Sequence, residues 1–126
     1  LPSRWTPSRG DSRRLFLLVG ETSHYRSLAR SLVQHDDEVL ELGVSWGDAT
    51  AVLAERARAV RGVDNSPECV DRATVRCEKL PHVTIQQQDA LGNPLQLCAF
   101  AGGCTCVFVD LGGDRAISAD YVAAML

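Results

Sequence analysis

The segment VLELGVSWGDAT, residues 39–50, does more than any other to limit what this chain can become. A short apolar run ends in an acid and two glycines, Glu41, Gly43 and Gly47, and helix-like sequence follows. A second short run, RGVDNS at 61–66, ends in Asp64, 21 positions after Gly43. That order is the layout of a nucleotide-binding βαβ unit. The first turn lets a ligand approach bare backbone, and the carboxylate after the second strand can accept from ribose hydroxyls. Taken alone, Gly43 and Gly47 also suit an ordinary strand-to-helix turn, and Glu41 or Asp64 a plain helix-flanking acid.

The rest of the chain repeats the same alternation. LFLLV at 15–19 reads as an extra strand, and residues 23–34 carry Tyr25, Leu28, Ala29, Leu32 and Val33 at helical spacing behind a capping Ser23. VLEL at 39–42 is a strand, Ala49 to Ala59 a helix, and Val60 to Val63 the next strand. Ser66-Pro67-Glu68 starts a helix that runs towards Leu80, where Pro81 stops it. Val83 to Ile85 is a short strand, Asn93-Pro94 opens a turn or short helix, and TCVFVDL at 105–111 is a further strand. Ser118 to Asp120 begins a last helix. Strands alternating with helices imply an α/β fold with a mainly parallel sheet covered on both faces.

At 126 residues the chain supports one domain. A net charge of -3 gives no electrostatic reason to expect nucleic acid as the main partner. No apolar run approaches the roughly 20 residues needed to span a bilayer. The five cysteines, Cys69, Cys77, Cys98, Cys104 and Cys106, show no paired CxxC spacing. A reducing compartment and small apolar packing roles fit them better than disulfides or a zinc cluster with His82. Residues 1–14 form a separate leader rich in Arg and Ser, with Asp11 as its only acid. Such a leader matches either an organellar transit peptide or a disordered tail, so the expected location is the cytoplasm or, with a transit peptide, a plastid or mitochondrion. Residues 15–126 form the domain.

Each strand after the first ends in an acid or is closely followed by one: Glu41 and Asp48, Asp64, Asp89 and Asp110. Ligands of open α/β sheets bind at the carboxyl ends of the strands. No Lys or Arg lies in the turns 41–48, 64–68 or 86–92. A dinucleotide pyrophosphate needs a helix start free of acids, and Asp48 opposes it. The GxGxxG series is also absent, since Gly43 and Gly47 flank Ser45. A ligand with a cationic sulfonium and ammonium, a ribose and a neutral adenine suits an acid-lined cleft better, which favours S-adenosylmethionine.

The same residues resemble the class I S-adenosylmethionine-dependent methyltransferases over about residues 38–111, through ELGVSWG, GVDNS, QQDAL and VFVDLGG in that order. The resemblance implies a three-layer Rossmann-like sandwich, S-adenosylmethionine as cofactor and methyl transfer as the reaction. It implies Glu41 near the methionine end, and Leu42, Gly43, Val44, Ser45 and Gly47 as the bed beneath the cofactor. Asp64 would hold both ribose hydroxyls with Asn65 beside it. Asp89 and Ala90 would flank the adenine, and Asp110 would lie nearest the methyl group as the catalytic candidate.

The chain departs from that pattern in three places. Ser45, followed by Trp46, stands where the family usually has a glycine. The run Asp110-Leu111-Gly112-Gly113 lacks the Pro-Pro-aromatic signature of enzymes that methylate exocyclic base nitrogens. Asp110 and Asp114 suggest a metal pair, but further ligands would fall beyond Leu126, so no metal site is assigned. The family's sheet has seven strands in the order 3-2-1-4-5-7-6, and this chain supplies the first four. On that count VFVDL becomes an exposed apolar edge, inviting self-association or a partner subunit unless the chain is a truncated piece. Two other readings stand beside the enzyme: a non-catalytic binding module that keeps the fold, and a nucleotide-dependent oxidoreductase. The methyl acceptor is not legible.

Overall fold

In the computed structural model, which describes residues 15–18 and 22–109, the apolar runs become strands and the segments between them helices. In chain order these are β1 (Leu15–Leu18), α1 (Thr22–Leu32), β2 (Glu38–Leu42), α2 (Asp48–Ala54) and β3 (Ala59–Asp64). They continue with α3 (Pro67–Arg76), β4 (Val83–Gln87), α4 (Pro94–Phe100) and β5 (Cys106–Val109). The final Ser118 helix, the end of the TCVFVDL run and Asp110 lie outside the described residues.

Capping chemistry fixes two of the helix starts. Ser66 accepts the Cys69 N–H on its hydroxyl at 3.3 Å, and Pro67 follows at the first helical position. Asn93 does the same for Gln96 at 3.2 Å, ahead of Pro94. The ends differ from expectation. The Ala49–Ala59 helix stops at Ala54, because Ala57 turns into the core and the Arg58 N–H bonds to the Asp37 carbonyl at 2.9 Å. Ala59 is then already paired with Glu38 in the sheet. Helix α3 ends at Arg76, short of Leu80, and Ser23 lies inside α1 rather than capping it.

All strand pairs are parallel, in the order β1-β5-β2-β3-β4. The chain steps from β2 through α2 to β3 and through α3 to β4, and α4 carries it back across to β5. Right-handed crossovers therefore place α4 on the opposite face from the earlier helices. Two core clusters result. Tyr25, Ala29, Val33, Val52 and Leu53 meet Val39, Val60 and Phe108 on one face. Leu97 and Ala101 meet Leu40, Leu42, Val63 and Val107 on the other. This is the expected three-layer α/β sandwich.

The expected exposed edge is not present. Strand β5 is flanked on one side by β2 and on the other by β1, in the register Leu15↔Cys106 through Leu18↔Val109. The N-terminal apolar run fills the position left open when only four strands are counted. Among the described residues no helix is long and apolar enough to cross a membrane.

Candidate functional site

The 43–47 loop leads from the carboxyl end of β2 into α2 and bonds to the carboxyl end of β3. The Gly43 and Val44 N–H groups both donate to the Val63 carbonyl, at 2.9 and 3.2 Å, and the Gly47 N–H closes a turn onto Val44. Gly43, Ser45 and Gly47 have φ of 88°, 50° and 90°. Two of these positions have the residue that tolerates a left-handed backbone, and Ser45 bears the strain of a Cβ there. Val44 is buried, and its seat is Gly62: a Cβ at residue 62 would lie 2.4 Å from the Val44 Cγ1. Gly47 is pressed against α3, where a Cβ would come within 2.9 Å of the Ala73 Cα.

Asp64 ties this loop to the next turn. Its Oδ2 accepts the Ser45 N–H at 3.0 Å and its Oδ1 accepts the Ser66 N–H at 3.0 Å. The carboxylate is half-buried at the carboxyl end of β3, with Asn65 exposed beside it. One strand over, the Gln88 N–H donates to the Asp64 carbonyl at 3.0 Å and brings the 88–92 turn alongside. Asp89 is exposed and shapes its own turn: Oδ1 accepts the Leu91 N–H at 3.1 Å and its carbonyl accepts from Gly92 and Asn93. Asp64, Asn65, Asp89 and the 43–47 backbone thus share one end of the sheet.

Other candidates sit elsewhere. The side chains of Leu42 and Ala90 belong to the core beneath α4 and leave only backbone to a ligand. Glu41 is fully buried, with Oε2 accepting from the Tyr25 hydroxyl at 2.8 Å and Oε1 from Thr50 at 2.5 Å. It is held inside the fold, between β2 and the residues that α1 and α2 bring to it. Asp48 faces Arg76 at 3.2 Å and Arg26 at 3.8 Å. The 41–48 turn is therefore less acidic than its sequence implies, because α1 and α3 bring Arg26 and Arg76 to Asp48. Trp46 points outward at 55% exposure, with the Arg72 guanidinium 4.5 Å above its ring. No group of three metal-binding side chains converges among the described residues, and the His82 Nε2 lies 2.8 Å from the Ala54 carbonyl.

Sequence reasoning missed Gly62, Tyr25, Thr50 and the capping role of Asp64 towards Ser45. Gly62 carried a signal, since a glycine inside a strand often marks close backbone approach. Tyr25 carried a weaker one: a tyrosine at a core position needs a partner for its hydroxyl.

A parallel sheet with a left-handed glycine loop after one strand and a fixed acid after the next defines a Rossmann-like nucleotide-binding domain. Residues 39–111, more than half of the chain, match the family described as methyltransferase domain, and the chain belongs to that family. It is 32% identical over 76 residues to a demethylmenaquinone methyltransferase of Tropheryma whipplei (strain Twist), covering 59% of this chain and 32% of the relative. The chain thus spans about a third of the length of the curated relatives it matches. Among solved structures it resembles phosphoethanolamine N-methyltransferase 1 of Haemonchus contortus, bound to phosphoethanolamine and S-adenosylhomocysteine. The TM-score is 0.51 at 26% identity, over 56% of this chain and 16% of that one. The fold also matches Aeropyrum pernix fibrillarin, with a TM-score of 0.59 at 15% identity, covering 72% of this chain and 42% of that one.

Proposed function

We propose that this chain is the cofactor-binding part of an S-adenosylmethionine-dependent methyltransferase. The observation that carries the reading is Asp64. A carboxylate has about four acceptor sites, and backbone N–H groups of Ser45 and Ser66 take one on each oxygen. That anchors the group and leaves an acceptor site on each oxygen for two ribose hydroxyls. The 43–47 backbone then forms the floor beneath the ligand, and Asn65, Asp89 and the Ala90 backbone stand at its purine end. Asp110, at the end of the β5 run, is the catalytic candidate nearest the methyl group. The S-adenosylhomocysteine held by the Haemonchus relative supports the ligand class. When bound, S-adenosylmethionine supplies an activated methyl group, and the chain's share of the reaction is alignment in a site that excludes water.

Partner pairing through the fourth-strand edge draws no support from the sheet order, because β1 occupies that place. A nucleotide-dependent oxidoreductase finds support only in the Arg26 and Arg76 cations near Asp48.

Calorimetric titration of the whole chain with S-adenosylhomocysteine, with and without NAD, tests the proposal. Binding is expected without competition by NAD. Asp64→Ala is expected to cost about 1.5 to 3 kcal/mol, a loss of about 10- to 150-fold. Because Asp64 also holds two backbone N–H groups, Asp64→Asn and a denaturation curve for each variant separate lost ligand contacts from a loosened loop. A folded wild-type chain that takes up no S-adenosylhomocysteine overturns the reading. Binding without turnover in a full-length protein would make it a cofactor-retaining interaction module.

A further inference from the structure

Trp46 is the largest side chain of the 43–47 loop, and it is exposed rather than buried. Burial therefore does not account for an indole at this position. The structure gives it a partner instead. The Arg72 guanidinium stacks over its ring, and Glu68, one turn back on α3, braces Arg72 at 3.2 Å. The next two residues meet the same helix: Gly47 packs directly against Ala73, and Asp48 pairs with Arg76 at 3.2 Å. Residues 46–48 thus lean on one side of α3.

The other half of the loop is held differently. Gly43 and Val44 bond to the Val63 carbonyl, and Ser45 bonds to the Asp64 carboxylate. These two attachments are linked. Asp64 accepts the Ser45 N–H on one oxygen and the Ser66 N–H on the other, and Ser66 caps α3. Helix α3 carries Arg72 to Trp46, and Trp46 follows Ser45 in the chain. The contacts therefore close a circuit that passes through Asp64. A loop with three left-handed residues has other conformations to visit, and ordering it on binding lowers affinity unless the protein has ordered it beforehand.

We infer that Trp46 and Arg72 are positioning residues whose stacking closes this circuit and keeps the Asp64 carboxylate in place for the ribose hydroxyls. The inference rests on the proposed function, in which Asp64 takes both hydroxyls. Opening the circuit at Trp46 and Arg72 loosens Ser45 from Asp64. The ligand's gain from its ribose hydroxyls then falls, while its contacts elsewhere are kept. A stacking contact that only steadies α3 would weaken every ligand alike.

Calorimetric titration of the whole chain with S-adenosylhomocysteine and with its 2′-deoxyribose analogue reads this as a ratio of affinities. The variants are Trp46→Ala, Arg72→Gln, the two combined, and Trp46→Phe, each with a urea denaturation curve. Both side chains are exposed, so the fold is expected to be kept. Each single change is expected to weaken S-adenosylhomocysteine about 3-fold and to lower the ratio about 2-fold. The double variant is expected to lose no more than either single one, because both cut the same contact. Trp46→Phe keeps an aromatic face for the guanidinium and a ratio close to that of the wild type. A wild-type ratio in both Trp46→Ala and Arg72→Gln, or a double variant in which the two losses multiply, overturns the inference and leaves the cofactor assignment intact. A wild-type chain that binds neither ligand, or binds both equally, instead brings down the proposed function on which it rests.

Discussion

Ser45 concentrates the tension between backbone and ligand at one residue. Its φ of 50° costs an L-residue about 1 to 2 kcal/mol, whereas the extra freedom of a glycine in the unfolded chain costs about 0.4 to 1 kcal/mol. The first term is larger, so Ser45→Gly is expected to stabilise the fold by about 0.5 to 1 kcal/mol in urea denaturation. Ser45→Val, branched at Cβ, should destabilise it. No gain from glycine would mean that the loop does not hold this conformation in solution. Cys77, at the C-terminal cap of α3, makes a second residue-level prediction. Burial pushes its thiol above the ordinary 9.0, the Glu41 charge pushes it further, and Arg76 opposes both. The folded state therefore keeps this proton when the unfolded chain begins to release it. The resulting stability is complete below about pH 9 and lost as pH rises through the raised value. Denaturation midpoints should fall more steeply above about pH 9 in the wild type than in Cys77→Ala. Parallel slopes would show that this thiol is not responsible.

At the scale of the element, the loop between β2 and α2 is shaped by what it lands on. Val44 fits over β3 because residue 62 has no side chain. Valine is stiff about χ1, so a methyl group at 62 displaces the loop rather than a side-chain tip. Gly62→Ala is expected to cost about 1 to 3 kcal/mol of stability and to weaken S-adenosylhomocysteine binding as the loop lifts. Retained affinity with unchanged stability would show that the loop does not need this seat. The same contact illustrates what was legible in the sequence. Helix starts could be read at Ser66-Pro67 and Asn93-Pro94 because capping is local chemistry. So could the glycine turn and its acid, because their order along the chain is the order of the βαβ unit. The helix end at Ala54 could not, since it is set where the Arg58 N–H finds the Asp37 carbonyl in the tertiary structure. Nor could the pairing of Asp48 with arginines 22 and 28 residues away, or the burial of Glu41 beneath Tyr25 and Thr50.

The whole molecule raises the question of how a short parallel sheet ends. Among the described residues its two edge strands are β4 and β1. Strand β4 is defended by composition, for Thr84, Gln86 and Gln87 are exposed and polar. Strand β5 has no such defence: Cys106, Val107, Phe108 and Val109 are all buried, as in a strand packed on both faces. Among the described residues, the four of β1 cover that strand on one side. In a parallel pair, alternate residues aim their N–H groups at the neighbour, so adjacent prolines remove a β5-facing donor whichever residue supplies it. The double change Phe16→Pro and Leu17→Pro is therefore expected to detach β1 and leave the β5 edge free to pair with another copy. Sedimentation velocity should show association that grows with concentration in this variant, over a range where the wild type does not change. A variant that stays monomeric, with far-ultraviolet circular dichroism showing the remaining sheet intact, would mean that β5 needs no cover. If it associates, β1 is what lets this sheet exist as a single chain.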